Sequence, residues 1–489
     1  MKGRDRFRII KTLCLVALVS GSAASHAAAT DTPNIILILV DDLGYGDIAA
    51  YNEQSKIKTP HLDKLAAQGM RFTDAHAAGS TCVPSRYGLL TGRYPVRAKL
   101  DWKSGPVIEN DQVTIASYLS GVGYSTAMIG KWHQGLEPVQ ENLAFDFSEP
   151  LQGGPLDRGF DTFFGIHASL DIPPYFYIRG RTATAIPTET INAGSSEGHA
   201  DGWNHIQGAF WREGLRSEDF VIDQVTPRLL AEAVQVLRSH AGKQEKNPLF
   251  LYLALPSPHT PWLPSEEFRG QSGAGLYGDF VMQVDAAVGE ILDELDSAGM
   301  AGDTMVIFSS DNGPVWYDHN TEHFGHDSAG NLRGMKGDGW EGGHRIPLIV
   351  RWPGRVTESS DSDQLVSLVD IMATIADVTA TTLPPLAGPD SISFYPELSS
   401  EEKAGRRTQL LHDRKVIRDG KWKLMLYLGS GGFTRPKFIE PETGSLLRGQ
   451  LYNLEDDPSE SNNLYAVHPG IVARLSAELE ASLNKRRSP

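Results

Sequence analysis

Three apolar runs in this chain each lead into residues that can titrate or bind. The first, Asn34-Ile35-Ile36-Leu37-Ile38-Leu39-Val40, has no polar residue in its interior and meets Asp41-Asp42 at its end. The second, residues 248–255, leads to His259, and the third, residues 304–308, leads to Asp311-Asn312. Continuous apolar runs without alternation read as strands buried on both faces, which need cover on both sides of a sheet. Parallel sheets meet that need, and their sites form where the carboxyl ends of strands converge. The three clusters are therefore expected to meet.

Helical patterns lie between the runs. Residues 221–237 repeat apolar Val221, Val225, Leu229, Leu230, Ala233, Val234 and Leu237, and residues 280–295 repeat Val281, Val284, Val288, Ile291, Leu292 and Leu295. A shorter helix is predicted over 60–69, closed by Gly69. Strand and helix in alternation give an α/β domain with a mostly parallel sheet. Residues 379–400, rich in Pro, Ser, Gly and Leu without a period, are predicted to be a linker. Beyond it, residues 410–417 and 422–428 read as strands around Asp419-Gly420, and 469–483 as a final amphipathic helix. The predicted division is a signal peptide over 1–29, a catalytic domain over 30–385 and a smaller C-terminal α+β domain over 386–489.

The amino-terminal stretch carries Lys2, Arg4, Arg6, Arg8 and Lys11, then an apolar run, then Ala27-Ala28-Ala29, the pattern of a secretory signal. The run is shorter than the roughly 20 residues that span a bilayer, so no stable membrane anchor is expected. The pattern looks bacterial and predicts a periplasmic or secreted protein. The formal charge is −16, and removing five basic residues and one acidic residue with the signal takes it to about −20. Such a surface repels nucleic acid and anionic membranes, so neither is expected as a partner. An anionic substrate would need a local cationic pocket. Of the two cysteines, Cys14 falls in the signal, which leaves Cys82 without a partner for an intrachain disulfide.

Cys82 opens Cys82-Val83-Pro84-Ser85-Arg86, followed by Leu90-Thr91-Gly92-Arg93. Pro84 suits the first turn of a helix, which sets Cys82 at or just before a helix N-terminus. Free N–H groups and the helix dipole favour an anion or an ionised nucleophile there. Asp41, Asp42, Asp311 and Asn312 offer only oxygen, which suits Ca²⁺ or Mg²⁺ better than Zn²⁺.

The Cys82 segment resembles the signature of type I sulfatases, whose cysteine is oxidised to Cα-formylglycine. The resemblance extends over most of the chain. It continues at Gly130-Lys131-Trp132-His133, Pro258-His259-Thr260-Pro261, Ser310-Asp311-Asn312-Gly313, Gly334-Met335-Lys336-Gly337 and Glu341-Gly342-Gly343-His344-Arg345-Ile346-Pro347. Leu451-Tyr452-Asn453-Leu454 with Asp457-Pro458 matches the family's C-terminal part.

The resemblance implies an alkaline-phosphatase-like core, sulfate ester hydrolysis in the manner of arylsulfatases and N-acetylgalactosamine-6-sulfatases, and one Ca²⁺. Its ligands would be Asp41, Asp42, the modified Cys82, Asp311 and Asn312. A formylglycine hydrate would attack sulfur to give a covalent sulfate hemiester, and elimination would then release sulfate. Arg86, Lys131 and Lys336 would surround the tetrahedral anion. His259, with Lys336, would protonate the leaving alcohol, and His133 would act as base. A maturation enzyme that generates formylglycine is an implied partner.

His167 and Ser169 are weaker candidates for substrate contact, as are His319 and His323 in a predicted loop over 316–326 at the pocket mouth. A sulfated carbohydrate, from an algal polysaccharide or a glycosaminoglycan, is the expected substrate. Two other readings use the same scaffold: a phosphomonoester or phosphonate monoester hydrolase, and an inactive glycan-binding protein. His344 stands where the motif more often carries an apolar residue.

Overall fold

The structure, a computed structural model, describes residues 32–137, 145–196, 207–244, 247–399 and 406–484. The predicted signal peptide lies outside the described residues. A ten-stranded sheet organises the molecule. Its five central strands, in spatial order Thr304–Ser310, Asn34–Asp41, Leu249–Pro258, Ser125–Lys131 and Thr162–Ile166, all run parallel. Antiparallel neighbours extend it on both sides: Leu348–Arg351 pairs with Thr304–Ser310, and Ile178–Arg179 pairs with Thr162–Ile166.

The strand Asn34–Asp41 sits near the middle because both of its faces are apolar. Ile35, Leu37 and Leu39 enter the core on one side of the sheet, and Ile36, Ile38 and Val40 enter the core on the other. Burying each such side chain contributes about 1.5–3 kcal/mol, so register here is strongly fixed. The second face is covered by the helices Pro60–Ala67, Val225–Ala241 and Gly275–Ser297. The first is covered by Cys82–Thr91, Ile115–Gly121 and Ile371–Val378. The mixed α/β architecture with a mostly parallel sheet is the predicted one.

A separate four-stranded antiparallel sheet, Gln409–Asp413, Val416–Asp419, Trp422–Met425 and Gln450–Asn453, forms the C-terminal part with the helix Pro469–Asn484. Its Leu410, Leu411, Ile417, Leu424 and Leu451, with Leu475 and Leu479 of the helix, belong to the same core as the main sheet's first face.

Several local expectations differ from the structure; the helix predicted over 60–69 ends at Ala67, with Gln68 and not Gly69 at its C-cap. The single strand predicted over 410–417 is a hairpin, broken at Arg414-Lys415, where Asp413 Oδ1 accepts a hydrogen bond from the Lys415 amide at 2.5 Å. The predicted linker over 379–400 contributes Phe394 and Leu398 to the core and forms a turn of helix, Tyr395–Ser399. The predicted loop over 316–326 contains the helix Asp318–Phe324, started by an acidic first turn and stopped by Gly325 in the left-handed region (φ 62°).

Candidate active site

The three polar clusters meet at the carboxyl ends of the central strands. Asp41 is the last residue of its strand, and Asp42 takes φ 65°, which turns the chain off the sheet. Ser310 Oγ accepts from the Leu43 amide at 3.0 Å and donates to Asn312 O at 2.9 Å, which ties the two strand ends together. Tyr277, on the long helix Gly275–Ser297, donates its hydroxyl to Asp42 O (3.1 Å) and Asp47 Oδ2 (2.5 Å) and so holds the turn from below. Two glycines permit the close approach. A Cβ on Gly130 would lie 1.9 Å from Ala254 O, and one on Gly313 would lie 1.8 Å from Gly342 O.

Cys82 is the first residue of the helix Cys82–Thr91, with Thr81 extended before it, so its side chain leaves the helix N-terminus as predicted. The buried Sγ lies 3.3 Å from Asp41 Oδ1 and 3.2 Å from Lys336 Nζ. Lys336 Nζ also reaches Asp42 Oδ1 at 2.5 Å. Lys131 Nζ pairs with Asp41 Oδ2. Arg86 donates Nε to Asp311 Oδ2 (2.8 Å) and Nη1 to Lys131 O (3.1 Å). Asn312 Nδ2 donates to Asp42 Oδ1 at 2.7 Å.

Charge at the centre is shared unevenly among the carboxylates. Burial pushes the Asp41 pKa up, but Lys131, His259, Arg86 and Lys336 outweigh it and hold the carboxyl well below its usual range. Asp311 goes the other way, to about 6, because burial and then the charge of Asp41 both disfavour its ionised form. Burial, then Asp41, pushes the Cys82 thiol up.

Of the predicted histidines, His259 places Nε2 3.6 Å from Asp42 Oδ2 and Nδ1 4.0 Å from Asp171 Oδ1. His133 takes φ 52°, packs edge-on against Trp102 with ring centroids 4.5 Å apart, and has Nδ1 3.5 Å from Ser169 Oγ. Burial, then Lys131, keeps its pKa well below the usual imidazole value. His167 turns Nε2 to Pro174 O at 2.9 Å, and burial lowers its pKa to about 4. His319 and His323 lie on the helix Asp318–Phe324, where His319 stacks on Tyr317.

Sequence reasoning missed Asp171 and Trp102. Both sit in irregular chain with no motif around them, and only the fold brings them to His259 and His133. Beside His133, a cavity of about 250 Å³ is lined by residues that include Trp102, Lys103, Phe145, His167 and Arg212.

The residues at the centre suit a hard divalent cation. Asp41, Asp42, Asp311 and Asn312 are at most 3% exposed and offer oxygen alone. Asn312 Oδ1 is buried with no hydrogen-bond partner among the described residues, and burial with the charge of Asp41 raises the Asp311 pKa, so a nearby cation would favour its carboxylate. Asp41, Asp42, Cys82 and His259 place one potential ligand atom each within 4.8 Å of one another.

A parallel sheet brings carboxylates, lysines and a cysteine at a helix N-terminus to one point, an arrangement suited to a tetrahedral anion. Residues 33–381 match the family model described as Sulfatase, and the chain belongs to the sulfatase family. It is 34% identical to the N-acetylgalactosamine-6-O-sulfatase of Bacteroides thetaiotaomicron, over 97% of this chain and 98% of that protein. It is 32% identical to human arylsulfatase A, over 95% of this chain and 89% of that protein. A solved structure from work on the metabolism of multiple glycosaminoglycans by Bacteroides thetaiotaomicron aligns with a TM-score of 0.80 and 32% identity, covering 93% of this chain and all of that one. The protein is a sulfuric ester hydrolase. No described helix is long and apolar enough to cross a membrane.

Proposed function

We propose that this sulfatase removes sulfate from a sulfated carbohydrate, a fragment of a glycosaminoglycan or an algal polysaccharide, with Cys82 oxidised to Cα-formylglycine by a dedicated maturation enzyme. The observation that carries the reading is the position of Cys82 Sγ, at a helix N-terminus and 3.2 Å from Lys336 Nζ. Its thiol is a poor nucleophile there, because burial and Asp41 keep it protonated. Oxidised and hydrated, Cys82 supplies one hydroxyl to attack sulfur and a second whose deprotonation expels sulfate as the aldehyde re-forms.

The chain's own residues take the remaining roles. Arg86, Lys131 and Lys336 set fixed positive charge around the anion and need no reorganisation as charge moves onto the ester oxygen. His259 protonates the leaving alcohol, which as a sugar alkoxide would leave poorly. His133, kept unprotonated by burial, takes the proton from the remaining hydroxyl. Asp41, Asp42, Asp311 and Asn312, with the modified Cys82, would hold one cation; the oxygen donors suit Ca²⁺ or Mg²⁺, and the family resemblance favours Ca²⁺. When bound, it neutralises sulfate oxygens.

The cavity beside His133 supports the carbohydrate reading, since Trp102 offers a flat face and Lys103 and Arg212 offer cations for a second anionic group. We also assign to substrate contact His167 and Ser169, which adjoin His133, and His319 and His323 on the helix Asp318–Phe324. The names of the 34% identical relative and of the 32% identical structure point the same way. A phosphonate monoester hydrolase from Agrobacterium radiobacter shares the fold at 18% identity and a TM-score of 0.58, which speaks to fold alone. We also place the catalytic domain at 30–385, the smaller domain at 386–489, and the mature enzyme in the bacterial periplasm or outside the cell, on the signal pattern of residues 1–29.

Two measurements on enzyme from its natural host test the reading. Mass spectrometry of the Cys82 peptide should show the aldehyde or its hydrate, and an unmodified thiol throughout would refute the mechanism. Sulfate and phosphate esters of one sugar should be hydrolysed with the sulfate ester strongly preferred; a preference for phosphate would favour the alternative hydrolase.

A further inference from the structure

A second cluster of ligating side chains lies where the main sheet's first face meets the C-terminal sheet. His76 ends the short strand Ala75–His76, Glu341 and His344 sit on the single-turn helix Glu341–His344, and His412 comes from the C-terminal strand Gln409–Asp413. One ligand atom from each lies within 4.8 Å of the others. His76 Nδ1 and His344 Nδ1 are 3.0 Å apart, and the His412 ring stacks on His344 with centroids 3.5 Å apart.

His412 is the observation that asks for a ligand. It is 6% exposed, and neither ring nitrogen has a hydrogen-bond partner among the described residues. An unsatisfied buried polar group costs about 1–3 kcal/mol, so an imidazole left this way needs an explanation.

The outer sides of the cluster are already engaged. His76 Nε2 lies 2.9 Å from Asp74 Oδ1, and His344 Nε2 faces Gly339 O at 3.3 Å and Lys423 Nζ at 3.2 Å. Carboxylate and carbonyl partners of this kind fix the tautomer of a ligating imidazole. Two cations border the cluster, each balanced by carboxylates: Arg418 forks onto Asp74 at 2.8 and 2.7 Å with Nη1 3.1 Å from His76 Nε2, and Lys423 bridges Glu341 Oε1, itself one of the cluster, and Glu460 Oε1, each at 2.9 Å.

We propose that His76, His344, His412 and Glu341 bind one divalent transition-metal ion of the zinc class, as a buried clamp between the catalytic sheet and the C-terminal sheet. Three nitrogens and one oxygen suit tetrahedral Zn²⁺ and not Ca²⁺, so the site is chemically distinct from the oxygen cluster at the catalytic centre. Glu341 and His344 follow Lys336 by a few residues, so the clamp would also fix the segment that carries this lysine to Cys82.

The test uses the full chain, stripped with chelator, returned to saturating Ca²⁺, and titrated with Zn²⁺ or Co²⁺. One equivalent of Zn²⁺ should bind, and Co²⁺ should give the intense visible absorption of a tetrahedral site. His412→Leu and His344→Leu, checked for folding by circular dichroism, should weaken Zn²⁺ binding by more than about 100-fold, since outer partners alone carry 10–100-fold. The proposal is overturned if the wild-type chain takes up no Zn²⁺, if bound Co²⁺ has the weak spectrum of an octahedral ion, or if both folded variants bind Zn²⁺ like the wild type. Should the variants not fold, the wild-type Co²⁺ spectrum decides alone.

Discussion

Lys336 contacts both Cys82 and a carboxylate: its ammonium lies 2.5 Å from Asp42 Oδ1 and 3.2 Å from Cys82 Sγ. Burial works against its charge, but Asp42, Cys82, Asp41 and Asp311 raise its pKa well above the usual value, so it stays cationic throughout the working range. Lys336→Ala should lower kcat by about 10²–10³-fold, the loss typical of one preorganised donor, with KM changed much less. A change confined to KM would show that Lys336 binds the ground state and the transition state alike. On the proposed formylglycine mechanism, Cys82→Ser offers one hydroxyl in place of the hydrate's two and should give at most a single turnover, seen as stoichiometric alcohol release without sulfate; full turnover would contradict elimination. Asp41, Asp42, Asp311 and Asn312 were legible in the sequence because each pair lies at or within a few residues of the end of an apolar run. Asp171, His76 and His412 were not, because an isolated Asp or His carries no pattern until the fold gives it neighbours.

At the scale of the element, the helix Pro60–Ala67 depends on a cap from another helix. Thr59 makes no side-chain cap bond; instead Asp285, on Gly275–Ser297, accepts from the His61 and Leu62 amides at 3.2 and 2.8 Å. Asp285→Ala should destabilise the protein by about 1–2 kcal/mol, read as a lower denaturation midpoint. Burial raises the Asp285 pKa from 3.8 to about 6, so the folded state holds this proton more tightly than the unfolded chain does. Stability from this group is therefore present below about 4 and is lost as pH rises through about 6. Asp285→Asn should abolish that slope, so the variant gains on the wild type between pH 4 and 6; parallel profiles would show that Asp285 ionises freely. Long periodic helices and continuous strands were readable because burial repeats along them. The break at Arg414-Lys415 was not, since Leu410, Leu411, Val416 and Ile417 are buried alike on both sides of it.

For the whole molecule, the C-terminal sheet and the main sheet share one core, so a chain ending at residue 385 would expose apolar surface that Leu410, Leu411, Ile417, Leu424, Leu451, Leu475 and Leu479 now cover. At about 1.5–3 kcal/mol per buried side chain, their burial is comparable with the whole stability of an ordinary domain. Such a fragment should be recovered only as aggregated or protease-sensitive material; a soluble, cooperative fragment would contradict the shared core. The net charge of −16 acts at longer range. Multiply sulfated oligosaccharides should show kcat/KM rising with salt up to about 0.1 M, where the Debye length falls to about 10 Å, while a singly sulfated sugar responds less. A steep fall with salt for both would mean that the local lysines and arginines govern encounter. The central strands carry a last consequence. Because Asp41 and Asp311 stand at the ends of adjoining, buried strands, the candidate site is expected to melt only with the sheet itself. Loss of activity on heating should share its midpoint with global unfolding and should not precede it as softening of an active-site loop would.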